Sequence, residues 1–456
     1  MINMSNHDKL MISVAGIRGV VGTSLTTDAV LKFAAAFGTF AGGGPIVLGR
    51  DSRLSGPVME MAVEAGLRSV GCDVIRIGIV PTPTVQLMTR LLKAKGGIAI
   101  TASHNPSQWN ALKFVSGQGL FLDKGQGEKV IALFHSGRFA YKQYDRLGGS
   151  EDYPNAIGDH VAKILKLSFL DIPAIRRKKF KVVTDTCHGA GGPIFSLLLK
   201  ELGCRAISLH NETSGKFSRP IEPQAKNLKE LEKAVVAHQA DIGFATDADV
   251  DRLSLVSDKG KAIGEEYSLA LVARFMFSHF KTQAVTNLST SRMIDDLAGQ
   301  FKTSVIRTPV GEANVVGAMK KHQAKIGGEG NGGIIIPELN YARDATAGIA
   351  LILQMMTEEN PPLSRIVEKL PRYHMVKTTL TVKDPERFLI KTRKMFSQCK
   401  IDKRDGLKYT WPDAWVHIRA SGTEPIVRVI AEAREEKTAR GLVRQMIGND
   451  PAPSLP

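Results

Sequence analysis

No apolar run in this 456-residue chain approaches the roughly 18 residues that a bilayer-spanning helix needs, so no membrane partner is expected. The beginning, MINMSNHDKLMISVAG, has no basic segment leading into a long apolar core, and a secretory signal is not expected either. Cysteine is scarce: Cys72, Cys187, Cys204 and Cys399 lie far apart, with no C-x-x-C spacing among them. They read as buried thiols of a reducing, cytoplasmic protein rather than as a disulfide or zinc framework. Dense Lys/Arg tracts interleaved with aromatics are also missing, although the formal net charge is +16. The one basic cluster, RRKKFK at 176–181, leads straight into a strand. Nucleic acid is therefore not expected as a partner, whereas a phosphorylated metabolite suits the positive excess.

What is present is a globular composition, 43% hydrophobic and 23% charged, on a chain too long for one core. Three stretches follow one plan. IVLGRDSRLSG (46–56) is a strand, a polar turn and a helix that runs to Gly71-Cys72, before the strand DVIRIG. VVTDTCHGAGG (182–192) repeats it, its helix ending at Gly203-Cys204 before RAISL. AVTNLSTSRM (284–293) opens a third unit that leads to TSVIRT. Alternating strand and helix predicts largely parallel sheets with helices on both faces. From about Tyr373 the pattern changes to strand pairs flanking a turn, HMVKTTLTV and AWVHIRASGTEPIVRVIAEA. The expected architecture is α/β: three related mixed-sheet domains, 1–154, 155–257 and 258–370, plus an α+β domain, 371–456, around a central cleft.

Each part carries one polar loop. In GGIAITASHNPSQWNALKF (96–114) an apolar strand stops in a cluster of small polar residues that includes Ser103 and His104. That is either a solvent turn or a nucleophile at the carboxyl end of a strand, where open α/β sheets place ligands. Side chains of adjacent residues on an extended strand point to opposite sides, which argues against a simple Ser103–His104 dyad. DADVDR sets Asp247, Asp249 and Asp251 at every second position, so in an extended segment the carboxylates share a face. Oxygen-only ligands so close together suit a hard cation, Mg²⁺ above all, with Arg252 beside them to meet a phosphate or orient an aspartate. RASGTEPIVRV holds Arg419, Ser421, Gly422, Thr423 and Arg428, a donor set for a phosphate monoester. GGEGNGG offers Glu329 and Asn331 to sugar hydroxyls, and AGIRGVVG places Arg18 in another glycine-rich turn.

TASHNP, DADVDR, GEGNGG and RASGTEP, in that order along the chain and one per domain, make it resemble the α-D-phosphohexomutase family, along essentially its full length. The resemblance implies that Ser103 is carried as a phosphoserine and is itself a ligand of one Mg²⁺ held by Asp247, Asp249 and Asp251. His104 and Lys113 would help hold or polarise the phosphoryl group. A hexose monophosphate would be converted through a 1,6-bisphosphate, which also serves the family as activator. Arg419, Ser421, Gly422 and Thr423 would anchor the non-reacting phosphate, and Glu329 the sugar.

Two segments depart from the family pattern. Ala111 follows Asn110 where glycine is usual, and Asn331 and Gly333 replace the serine and histidine of the bacterial G-E-x-S-G-H. Without that histidine the general base is left among Arg18, Lys113 and Glu312. The GGEGNGG form is most similar to archaeal-type phosphoglucosamine mutases. Phosphoglucomutase or phosphomannomutase activity, or a non-catalytic sugar-phosphate-binding homologue, are the alternatives, as monomer or homodimer.

Overall fold

The computed structural model describes residues 9–393, 395–396, 398–420 and 426–447. Two compact units form: residues up to Phe275 together with Asn331–Val367, and Met276–Gly330 together with residues from Glu368 onward.

The first unit contains a seven-stranded mixed sheet, ordered Met11–Ser13, Gly16–Val20, Trp109–Ser116, Gly96–Ile100, Ile46–Arg50, Val74–Ile79, Ser150–Asp152. From Gly96–Ile100 to the far edge the neighbours run parallel, while Trp109–Ser116 turns back antiparallel beside Gly96–Ile100. A second mixed sheet is ordered Leu253–Ser257, Ile242–Thr246, Lys181–Asp185, Arg205–Leu209, with only its first pair antiparallel. The unit also holds the antiparallel pair Gly333–Ile336 and Asn340–Arg343, followed by the helix Ala345–Glu359. That helix is buried at every position from Ala345 to Met356, which its sequence ATAGIALILQMM permits because it is apolar on all sides. Asp344 caps it, accepting from the Thr346 and Ala347 amides, and also bonds the buried His160 at 2.7 Å.

In the second unit Ala284–Asn287 pairs in parallel with both Val305–Thr308 and Ile326–Glu329. Its C-terminal sheet is antiparallel throughout, ordered His374–Thr381, Ile426–Ala433, Ala414–Ala420, Leu407–Thr410, Lys400–Asp402. Leu407, Tyr409, Val416, Ile418, Val427 and Val429 form its core.

The repeated plan is visible as strand, helix and parallel strand three times: Ile46–Arg50, Gly56–Ser69, Val74–Ile79; Lys181–Asp185, Gly191–Glu201, Arg205–Leu209; Ala284–Asn287, Met293–Gln300, Val305–Thr308. The first two helices are followed by a left-handed glycine, Gly71 (φ 80°) and Gly203 (φ 68°). In the third copy Lys302 takes the same backbone conformation at φ 53°, at some cost in strain for a residue with a Cβ.

Lys408, between Leu407 and Tyr409 in sequence, is buried on the other face of the C-terminal sheet, beside the buried His417. Its ammonium donates to the Leu288 carbonyl at 2.6 Å and lies 4.2 Å from the Trp415 ring centroid. Burial, with Arg307 nearby, pushes its pKa from 10.5 down to about 7. The unfolded chain then holds this proton more tightly than the native one. Lys408 therefore costs stability increasingly as pH falls from about 10.5 to about 7, and the cost is constant below that. The stability of Lys408→Met relative to the parent should accordingly be most favourable at pH 7 and least favourable near pH 10. Denaturant melts of both proteins across that range check the slope, and a pH-independent difference would contradict it.

Candidate active site

The Ser103 loop begins where the fully buried strand Gly96–Ile100 ends, beside the parallel strand Ile46–Arg50. The turn after that neighbour shapes the loop. Arg53, 1% exposed, donates to the carbonyls of Ser103 (2.8 Å), Asn105 (2.7 Å), Pro106 (2.8 Å) and Trp109 (3.0 Å). Its Nε pairs with Asp51 at 3.1 Å, and Asp51 also accepts from the Thr101 hydroxyl at 2.6 Å. Thr101 Oγ1 in turn accepts from the Ser103 amide at 2.9 Å. A planar fork of five donors suits this carbonyl-lined turn as no ammonium could.

Held this way, Ser103 adopts a left-handed backbone, φ 51°. The strand alternation that argued against a Ser–His contact therefore does not apply: Ser103 Oγ is 3.4 Å from His104 Nδ1. Its shorter bond, 2.8 Å, goes to Asp247 Oδ2.

Asp247, Asp249 and Asp251 do converge, each offering an oxygen within 4.8 Å of the others, and all are buried. The cause differs from simple alternation. The segment between the strands Ile242–Thr246 and Leu253–Ser257 is a turn with Val250 left-handed at φ 63°. Thr82 anchors it, donating its amide to the Asp249 carbonyl at 3.0 Å and its hydroxyl to Asp249 Oδ2 at 2.7 Å. Arg219 holds the loop's start through the Thr246 carbonyl (2.9 Å) and Asp185 (2.7 Å).

Three cations meet these carboxylates. Lys113 lies 2.6 Å from Asp249 and 3.9 Å from Asp251. Arg343 donates to Asp251 Oδ2 at 2.6 Å. Arg252 lies 3.9 Å from Asp247 and 3.8 Å from Asp251, donates to His104 Nδ1 at 2.9 Å and pairs with Glu222. Burial and the neighbouring Asp251 and Asp249 push the Asp247 pKa well above the carboxylate range. Burial also acts on Asp249, but Lys113, the Thr82 hydroxyl and Arg343 outweigh it and hold that carboxyl below its ordinary value. Burial, then Arg252 and Arg18, lower the His104 pKa to about 2, so its imidazole is neutral and Nδ1 is the acceptor.

Arg18, on Gly16–Val20, donates to Asn105 Oδ1 at 2.7 Å in the Ser103 loop. Its strand lies close because Gly16 (φ 145°) has no Cβ, which would sit 1.8 Å from the Leu112 carbonyl oxygen. Ser103, His104, Arg18, Lys113 and the three aspartates thus come together within the first unit. Asn331 belongs to that unit too, its Oδ1 accepting from the Gly333 amide at 3.3 Å.

Glu329 and Arg419 belong to the second unit. Glu329, 5% exposed, accepts from Asn287 Nδ2 (2.8 Å) and the Gly311 amide (3.1 Å). Asp405 accepts from the adjacent Val310 amide at 2.8 Å and lies 2.7 Å from Arg419 Nε. Arg428 is exposed and sits directly across the strand pair from Arg419. Glu312 opens the helix Glu312–His322. Ser421, Gly422 and Thr423 lie outside the described residues.

Arg53, Thr82, Arg219 and Arg343 are the residues that motif reading missed. Arg53 had a signal, a second arginine in the GRDSR turn that ends a repeat strand. Thr82 and Arg343 had none, since what matters is the distant loop that each one reaches.

The sequence profiles of the phosphoglucomutase/phosphomannomutase family match in order: domain I over residues 10–141, domain II over 158–260, domain III over 265–373 and the C-terminal domain over 376–448. A phosphoglucomutase/phosphomannomutase of Thermococcus kodakarensis is 36% identical, covering 93% of this chain and 95% of that one. A probable phosphoglucosamine mutase of Methanopyrus kandleri is 35% identical, covering 94% and 95%. A solved phosphoglucomutase/phosphomannomutase family protein of Burkholderia thailandensis superposes with a TM-score of 0.82 at 26% identity, covering 95% of this chain and 96% of that one. The fold and site define a four-domain α/β phosphotransferase of the isomerase class. The chain belongs to the phosphoglucomutase/phosphomannomutase family, the α-D-phosphohexomutases.

Removing the Arg53 fork should destabilise the first unit. Arg53→Met leaves Asp51 buried and unpaired and four carbonyls without their donor, at a cost of about 3–5 kcal/mol. Urea melts measure it. A loss below about 1 kcal/mol would mean that the loop is shaped by other contacts.

Proposed function

We propose that this chain interconverts hexose 1-phosphates and 6-phosphates through a phosphoserine at Ser103 and a 1,6-bisphosphate intermediate, with glucosamine phosphate as the preferred substrate. The observation that carries this reading is the 2.8 Å bond from the Ser103 hydroxyl to Asp247, inside a buried triad of carboxylates. Asp249 Oδ1 and Asp251 Oδ1 are buried without a hydrogen-bond partner, as oxygens reserved for a cation would be. Such a donor set fits Mg²⁺, held by Asp247, Asp249, Asp251 and an oxygen on Ser103. When bound, Mg²⁺ supplies positive charge that stabilises the phosphoryl oxygens during transfer.

In the transfer, the bond between phosphorus and Ser103 Oγ breaks and a bond to the free hydroxyl of the sugar phosphate forms. The sugar hydroxyl loses a proton, and Ser103 Oγ gains one. After the bisphosphate reorients, the same exchange in reverse returns its other phosphate to Ser103. Arg18, Lys113 and Arg252 surround the phosphoryl oxygens with fixed charge, and neutral His104, oriented by Arg252, contacts Ser103 Oγ. Arg419 and the loop through Thr423, with Arg428 nearby, grip the distal phosphate; Glu329 and Asn331 hold the sugar. The glucosamine preference rests on the GGEGNGG loop and on the similarity to the probable phosphoglucosamine mutase of Methanopyrus kandleri.

Intact-mass analysis should find a fraction of purified protein heavier by one phosphoryl group, about 80 Da, on Ser103. Ser103→Ala should lose that mass and nearly all mutase activity; full activity in the variant would rule out the phosphoserine route. Chelation should abolish turnover and Mg²⁺ restore it.

The two loops of the second unit should separate by kinetics. Arg419→Ala removes a charge-assisted contact to a phosphate that every substrate carries, so KM should rise about ten- to hundredfold for all hexose phosphates alike. Glu329→Ala should instead alter the ranking among glucose, mannose and glucosamine phosphates. Ranking changes confined to Arg419→Ala would show the two assignments to be reversed.

A further inference from the structure

The geometry points to Arg343 as the fixed counter-cation of the aspartate triad, a positioning residue for Asp251 that sets how tightly a divalent cation is held, with residue 333 a glycine so that this side chain can pass. Its role toward the cation rests on the function proposed above; the steric argument does not.

Arg343 ends the strand Asn340–Arg343, paired in register with Ile335 of Gly333–Ile336. From there its guanidinium reaches Asp251 Oδ2 at 2.6 Å, with the side chain largely buried at 12% exposure. On the way it crosses Gly333. A Cβ on Gly333 would lie 2.4 Å from Arg343 Cδ and 3.0 Å from Cγ. Those are mid-chain atoms, and the far end is pinned to Asp251, so the side chain cannot swing aside without giving up the carboxylate. Gly333 has no left-handed backbone that would itself demand glycine. Arg343 is the main obstacle to a side chain there, with Asn331 Oδ1 a lesser one at 3.2 Å.

The charges agree with this. With the carboxyls ionised, as cation binding requires, Asp247, Asp249, Asp251 and Glu222, the partner of Arg252, carry four formal negative charges against four positive ones on Arg18, Lys113, Arg252 and Arg343. A phosphoserine near −2 and a divalent cation would then enter as a pair that leaves the balance unchanged. Without Arg343 the triad is one positive charge short. It would hold a divalent cation more tightly and constrain Asp251 less well.

Two measurements on the full chain test this. In Mg²⁺ titration calorimetry, Arg343→Ala should bind Mg²⁺ about tenfold more tightly than the parent while its kcat falls, and Arg343→Lys should restore much of the parent affinity. A merely structural residue would weaken binding when removed, so unchanged or weaker affinity overturns the counter-cation role. In thermal unfolding without metal, Gly333→Ala should lower Tm in the parent and have little effect in the Arg343→Ala background. Equal effects in both backgrounds overturn the crossing. If the two substitutions are coupled but no protein binds Mg²⁺, the crossing stands and the metal-dependent function falls.

Discussion

Three carboxylates whose oxygens lie within 4.8 Å of one another, all out of solvent, cannot be assembled without compensation, and much of the first unit supplies it. Lys113 comes from Trp109–Ser116, an interior strand of the seven-stranded sheet, Arg252 from the aspartate turn itself and Arg343 from the hairpin before the buried helix. Thr82 arrives from the turn after Val74–Ile79. These contacts hold segments distant in sequence in one arrangement. Two buried oxygens are still left without hydrogen bonds, Asp249 Oδ1 and Asp251 Oδ1, which is where a divalent cation fits.

A second theme is the arginine that folds a loop by donating to its carbonyls. Arg53 does so for the Ser103 loop and Arg219 for the start of the aspartate turn. In the second unit Arg307 donates to the Asn287, Thr290 and Ser291 carbonyls. In each case the guanidinium acts on the turn that follows a strand: Gly96–Ile100, Ile242–Thr246 and Ala284–Asn287. Carbonyls at strand ends lack ladder partners, and a planar multi-donor group satisfies several at once while keeping the turn's side chains aimed outward. Such a device accounts for some of the large positive charge without any polyanion on the surface.

In the second unit the same economy links two candidate binding residues. Glu329 accepts from the Gly311 amide, and the preceding amide, Val310, donates to Asp405, which pairs with Arg419. One short segment, 310–311, therefore holds the carboxylate assigned to the sugar and the partner of the guanidinium assigned to the phosphate.

The sequence alone determined the elements and the chemistry of the loops. Short apolar stretches ended by polar turns marked the strands of all three repeats, which are four to six residues long, because a short buried strand has few other sequence solutions. Spaced aspartates, a serine after a core strand and paired arginines around a glycine turn marked the candidate site residues. Tertiary structure decided how the serine and the aspartates meet within the first unit. Ser103 contacts His104 because its backbone is left-handed, and the aspartates converge through a turn at Val250, neither of which an alternating pattern can express. Arg343 could not be read from its neighbours at all. Its function depends on Asp251, 92 residues away, and on the missing Cβ of Gly333 across a strand pair, and such steric pairings exist only once the chain has closed on itself.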